Sequence, residues 1–187
     1  MFTLINNSMN EFVYRLNLPP LTDILLNKDI LYNEEKYDTI YRQLTTDCIK
    51  PEWLTFNNYN WNSVLYFYKN NSSGVIHMDK NDRSHLPHKP CVWGINWIYN
   101  NSGIMEYWPL ADILHQVVDA KNKFITVCYS NKKPHSTYHM TEGAYLVNAS
   151  LPHKATGESK RSALSLRDTT CNETWDTIVD KFKNYII

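Results

Sequence analysis

The chain has 187 residues, 19 Lys and Arg against 19 Asp and Glu, and an aromatic content of 13%. That length holds one domain with an ordinary core, and zero net charge removes the long-range field that would favour nucleic acid or an anionic membrane surface. No apolar run approaches membrane-spanning length, the opening MFTLINNSMNEF is no secretion signal, and Cys48, Cys91, Cys128 and Cys171 are too scattered for a disulfide framework or a cysteine zinc site, so a cytoplasmic protein with reduced thiols is expected.

Along the chain, Tyr37, Ile40, Tyr41 and Leu44 form an i, i+3, i+4, i+7 stripe that predicts an amphipathic helix over 34–48. Pro51-Glu52 opens a short helical turn. The period then changes. VLYFYK (64–69) reads as a strand closed by an Asn-Asn-Ser-Ser-Gly turn, and VIHMD (75–79) as a second strand. CVWGINWIY (91–99) and IMEYW (104–108) flank Asn100-Asn101-Ser102-Gly103 and predict a hairpin. Leu110, Ile113, Leu114, Val117 and Val118 return to helical spacing. KFITVCY (123–129), STYHMT (136–141), AYLVN (144–148) and SALSLR (162–167) are strand-like, and Trp175, Ile178, Val179 and Phe182 share one face of a closing helix. Roughly eight short strands between helical flanks predict a mainly β domain over 1–187, with its core at about 62–167. The architecture that fits is a double-stranded β-helix, or jelly roll, with helices packed on one outer face.

His77 and Asp79 are the chemistry-bearing pair. Residues i and i+2 of a strand point to one face, so an imidazole and a carboxylate can reach one metal ion together. His153, after a strand and Pro152, offers a third ligand. Two His and one carboxylate on one side of a metal leave the opposite positions open, the facial arrangement of non-haem Fe(II) oxygenases. A dicarboxylate cosubstrate would also need a cation for its far end, and the planar guanidinium of Arg161 is the natural candidate.

The order H-x-D, a long gap, a distal His and then Arg at the start of the next strand resembles the Fe(II)/2-oxoglutarate-dependent dioxygenases. VIHMD and GAYLVNASLPHKATGESKRSALSLR (143–167) carry the resemblance. The stretch CVWGINWIYNNSGIMEYW is similar to the strand pair after the metal motif in the aspartyl/asparaginyl β-hydroxylase-like branch. The likeness covers roughly 62–167. It implies that His77, Asp79 and His153 bind Fe(II), that Arg161 pairs with the distal carboxylate of 2-oxoglutarate, and that Tyr66, with Tyr68 on the same face, touches the cosubstrate. It also implies O₂ as the oxidant, ascorbate as an aid, and hydroxylation of an unknown protein side chain or small molecule. Two departures matter. The His153-to-Arg161 gap is shorter than the family's, which keeps Arg167 as an alternative anchor. The segment between Asp79 and Cys91 is longer, which leaves Arg83, His85 and His88 with no carried-over role beyond a polar loop at the mouth of the site.

Two other readings compete: a jelly-roll binding or virion-associated protein with a degenerate metal site, and a cupin-like metalloenzyme without a 2-oxo acid. His135 and His139, four apart beside Pro134 in β-like surroundings, read as incidental. Trp93, Ile95, Trp97 and Tyr99 alternate as core, which puts Gly94 and Asn96 on the other face of their strand.

Overall fold

The structure, a computed structural model, describes residues 12–31, 41–69, 75–79, 92–100, 102–119, 124–128, 133–156 and 161–187. Among the described residues, twelve strands form two antiparallel sheets. The first contains β1 (Val13–Leu16), β2 (Tyr41–Leu44), β3 (Ser63–Lys69), β5 (Trp93–Tyr99), β10 (Gly143–Asn148) and β12 (Arg161–Arg167), in the order β1-β10-β5-β12-β3-β2. The second contains β4 (His77–Asp79), β6 (Gly103–Tyr107), β7 (His115–Asp119), β8 (Phe124–Cys128), β9 (Ser136–Met140) and β11 (His153–Thr156), in the order β7-β8-β4-β11-β6-β9.

Strand alternation explains how the sheets are used. On β5, Trp93, Ile95 and Trp97 leave one face of the first sheet and join Leu164 and Leu166 of β12. The helices α1 (Leu21–Ile24) and α2 (Trp175–Phe182) cover this face, contributing Leu21, Ile24, Ile178 and Phe182. Thr174 caps α2 by accepting from the Thr177 N–H at 3.4 Å, and Ile178 and Phe182, one helical turn apart, are both fully buried. A T-shaped contact between Trp61 and Trp93 and the edge of Trp93 against Phe182 fill the centre of this outer core. The opposite face of the first sheet meets the second sheet. There Ile98, Ala163, Tyr145 and Val147 pack on Met105, Tyr107 and Met140.

Three local expectations change. Residues 41–44 are the edge strand β2, paired with β3, rather than helix, and Thr46–Cys48 form only a 3₁₀ turn. Residues 34–40 lie outside the described part. The stretch read as helical from Leu110 is a 3₁₀ turn, Leu110–Asp112, followed by β7, because ladder bonds to β8 outweigh a weak helical stripe rich in β-branched Val. β5 and β6 do not form a hairpin: Asn100, with φ 55°, begins a connection that takes the chain from the first sheet to the second. The strands over 63–69, 77–79, 93–99, 124–128, 136–140, 143–148 and 161–167 and the C-terminal helix stand where the sequence put them. Among the described residues, no helix is long and apolar enough to cross a membrane.

Candidate metal centre

His77, Asp79 and His153 come together at one end of the space between the sheets, with one ligand atom from each lying within 4.8 Å of the others. The register makes this inevitable. His153 opens β11 directly opposite His77 of β4, and antiparallel partners point to the same face. Their rings are 4.4 Å apart, centroid to centroid. Asp79, two residues along β4, returns to that face. Its backbone N–H donates to the carbonyl of Ala149 at 2.9 Å, and the Ala149 N–H donates to Val92 at 2.8 Å. The crossing from β10 to β11 is thereby tied to both neighbours of the cluster.

The two imidazoles are prepared in the same way. His77 Nδ1 lies 3.0 Å from the Val75 carbonyl, and His153 Nδ1 lies 2.8 Å from the Leu151 carbonyl, in each case two residues back. A carbonyl only accepts, so both Nδ1 atoms carry the proton and Nε2 is the lone-pair nitrogen of each ring. A carbonyl behind a ligating imidazole is the usual support of a metal-binding histidine. Burial, reinforced by nearby His77, pushes His153 down to about 4, so it is neutral at physiological pH, as a ligand must be. Burial works against ionisation of Asp79, but Arg167, His153 and His77 outweigh it and hold the carboxyl below its ordinary value. Two imidazole nitrogens and one carboxylate oxygen, all from one side, are a donor set that could hold a divalent transition-metal ion.

The two arginines of β12 differ sharply. Arg161, Ala163, Ser165 and Arg167 alternate onto the face that meets the second sheet. Arg167 Nη1 forms an ion pair with Asp79 Oδ2 at 2.6 Å, and its Nε donates to Ser165 Oγ at 3.2 Å. Arg161 is 8% exposed, yet among the described residues its guanidinium has a single long hydrogen bond, from Nη1 to the Thr156 carbonyl at 3.4 Å, and no carboxylate partner. It lies against the bare backbone of Gly103, where a Cβ would overlap the guanidinium. Thr156 is three residues down β11 from His153, roughly 10 Å at the rise of a strand. Toward the other end of the same face, Asn96 of β5, opposite Ser165, has a buried Oδ1 without a hydrogen-bond partner among the described residues. A buried cation without an anion costs on the order of several kcal/mol, and an orphaned acceptor adds to that. Both call for a polar ligand between the sheets.

Tyr66 stands elsewhere. It pairs in register with Leu164 and packs in the outer core beneath the helices, across the sheet from Arg161. The inward positions of β3 are those of Leu65 and Phe67, because Phe67 faces Ala163. The cosubstrate contact expected of Tyr66 is therefore a parity error of one residue, corrected by the register. His139 is exposed on β9, away from the cluster, and Arg83, His85 and His88 lie outside the described residues. The pairing of Arg167 with Asp79 was not expected from sequence, although Arg167 was already a competitor for the anchor.

No protein-family model and no curated protein matches the chain. Among solved structures, the chain is similar to E. coli ycfD, with a TM-score of 0.38 and 7% identity over 65% of this chain. The match spans 29% of that protein's length. At that level of likeness nothing about the site follows from it.

Proposed function

We propose that the protein is an Fe(II)- and 2-oxoglutarate-dependent oxygenase, a hydroxylase of a protein side chain or small molecule. The observation that carries this reading is the shared inward face: two histidines and an aspartate at one end, and about 10 Å away a buried guanidinium that has no carboxylate partner among the described residues. An extended diacid chelated at one end can bridge that separation. The fold supports the same reading. Setting aside the β7–β8 hairpin, the eight strands from β3 to β12 run 1-8-3-6 in one sheet and 2-7-4-5 in the other, the alternating pairing of a double-stranded β-helix.

When bound, the iron and the 2-oxo acid would supply O₂ activation coupled to decarboxylation of 2-oxoglutarate to succinate. The chain's own residues do the rest. His77, Asp79 and His153 would hold the metal from one side. Arg161 would fix the distal carboxylate through its planar fork. The buried faces of Tyr107 and Met105 help keep water from the interior.

The test needs no substrate. The protein with Fe(II) and 2-oxoglutarate under anaerobic conditions should develop the weak visible charge-transfer band of the chelate, and on admitting O₂ with ascorbate it should release succinate. A metal-loaded protein that shows neither band nor succinate, and binds no 2-oxoglutarate, would turn the reading to a non-catalytic jelly-roll binding protein.

A further inference from the structure

We propose that Arg167 is a positioning residue that holds Asp79 as a one-oxygen ligand and so sets how many coordination positions stay open; this rests on the metal-centre reading above. Asp79 presents its two oxygens to different partners. Oδ2 is taken by Arg167 Nη1 at 2.6 Å, whereas Oδ1 faces His77 Nε2 at 3.6 Å, on the side where the ligand atoms converge. An ionised carboxylate can give a metal one oxygen or both. The short, charge-assisted bond draws Oδ2 toward Arg167 and leaves Oδ1 as the oxygen turned to the converging ligand atoms.

The clamp is itself built in. Ser165 Oγ accepts from Arg167 Nε at 3.2 Å, which fixes the plane of the guanidinium. The arginine stem lies across Gly94 on the neighbouring strand. A Cβ at Gly94 would stand 3.0 Å from Arg167 Cγ, 2.9 Å from Ser165 Oγ and 2.8 Å from the Leu166 carbonyl, so any side chain there pushes the arginine off its line. Three positions on two strands, Gly94, Ser165 and Arg167, thus serve the orientation of one carboxylate. This also divides the labour of the two arginines. Nη1 and Nε of Arg167 are committed within the protein, while Arg161 keeps its fork for a ligand.

Mn(II) favours octahedral coordination, so its exchangeable waters count the open positions. With one-oxygen Asp79, three protein donors leave about three waters; with two-oxygen Asp79, about two remain. Water-proton relaxivity of the Mn(II)-loaded protein reads that number. Arg167→Met should lower it by about a third relative to wild type. Arg167→Lys, which keeps the charge without the fork, should fall between. Ser165→Ala, which removes only the guanidinium's second anchor, should show a smaller fall and carries the test if Arg167→Met does not fold. Equal water counts in all the metal-loaded proteins overturn the proposal. So does loss of Mn(II) from Arg167→Met with unchanged counts in Arg167→Lys and Ser165→Ala, which would make the arginine a structural prop. Failure of the wild type to take up Mn(II), or uptake unchanged in Asp79→Ala, overturns the metal-centre reading itself.

Discussion

The two ends of β12 carry the same side chain on the same face in opposite states. At the Arg167 end a guanidinium meets a carboxylate and a hydroxyl, and its charge is answered inside the protein. At the Arg161 end an equally inward guanidinium has, among the described residues, one long bond to a carbonyl and rests on a glycine. The first kind of arginine holds protein parts in place. The second is costly unless something from outside completes it, which is why the proposed function gives it an anionic ligand. Burial alone does not separate them; the presence or absence of a counter-charge does.

The contrast can be broken most severely at the paired end. Asp79→Ala removes the only anionic member of the cluster and leaves Arg167 without its ion-pair partner. Metal affinity, read by titration with Fe(II) or Mn(II), should fall by more than about 100-fold, beyond the range typical for losing a supporting partner of a ligand. O₂-dependent succinate formation should disappear with it. Succinate formation unchanged in this variant would sink the oxygenase reading.

At the unpaired end, Arg161→Ala should leave metal binding intact and raise the 2-oxoglutarate concentration needed for half-saturation by at least about 30-fold, from the roughly 2 kcal/mol or more that truncating a desolvated charge pair costs. Arg161→Lys should be intermediate, since it keeps the charge and loses the fork. If Arg167→Ala shows the cosubstrate effect and Arg161→Ala does not, the two ends have been assigned the wrong way round.

Gly103→Ala sharpens the comparison without touching a charge. The new methyl would occupy the guanidinium's place, so Arg161 must shift, and misplacement by about 1 Å can cost up to roughly 100-fold. We expect a rise of about 10-fold in the 2-oxoglutarate requirement with unchanged metal affinity, because Arg161 can adjust part of the way. An unaltered requirement would mean that its position over Gly103 is unimportant.

The smallest effect is a control on burial itself. Burial, with Asp47 nearby, pushes the Cys48 thiol up to about 11, so it stays protonated at pH 8. Iodoacetamide should label Cys48 in the unfolded chain and leave it unmodified in the folded protein, as mass spectrometry of the tryptic peptide would show. Rapid labelling of Cys48 in the native state would contradict its placement in the outer core.

The grouping of the three candidate metal ligands was legible in sequence for a simple reason. A strand has a period of two, so His77 and Asp79 had to share a face, and His153 beside Pro152 lay near a strand start. Arg161 was singled out by its order in the chain, and the structure places it buried at the start of β12. Other features were hidden by particular physics. Tyr66 was misassigned because β3 reads Val-Leu-Tyr-Phe-Tyr, apolar on both faces, and a strand buried on both sides does not display its parity. β7 was misread because the spacing of Leu110, Leu114 and Val117 imitates a helix, while its pairing with β8 is a tertiary fact. The bond between Arg167 and Asp79 joins residues of different sheets, and nothing local in either segment announces it.

The two histidine tautomers have a consequence for how the protein tolerates change. Each is set by a main-chain carbonyl two residues earlier, from Val75 and Leu151, rather than by a side-chain carboxylate or amide. A main-chain acceptor is present whichever amino acid occupies the position. The aim of both imidazoles is therefore insulated from most single substitutions around them. What drift cannot replace is confined to the ligands themselves and to the path of the backbone through two tripeptides, 75–77 and 151–153.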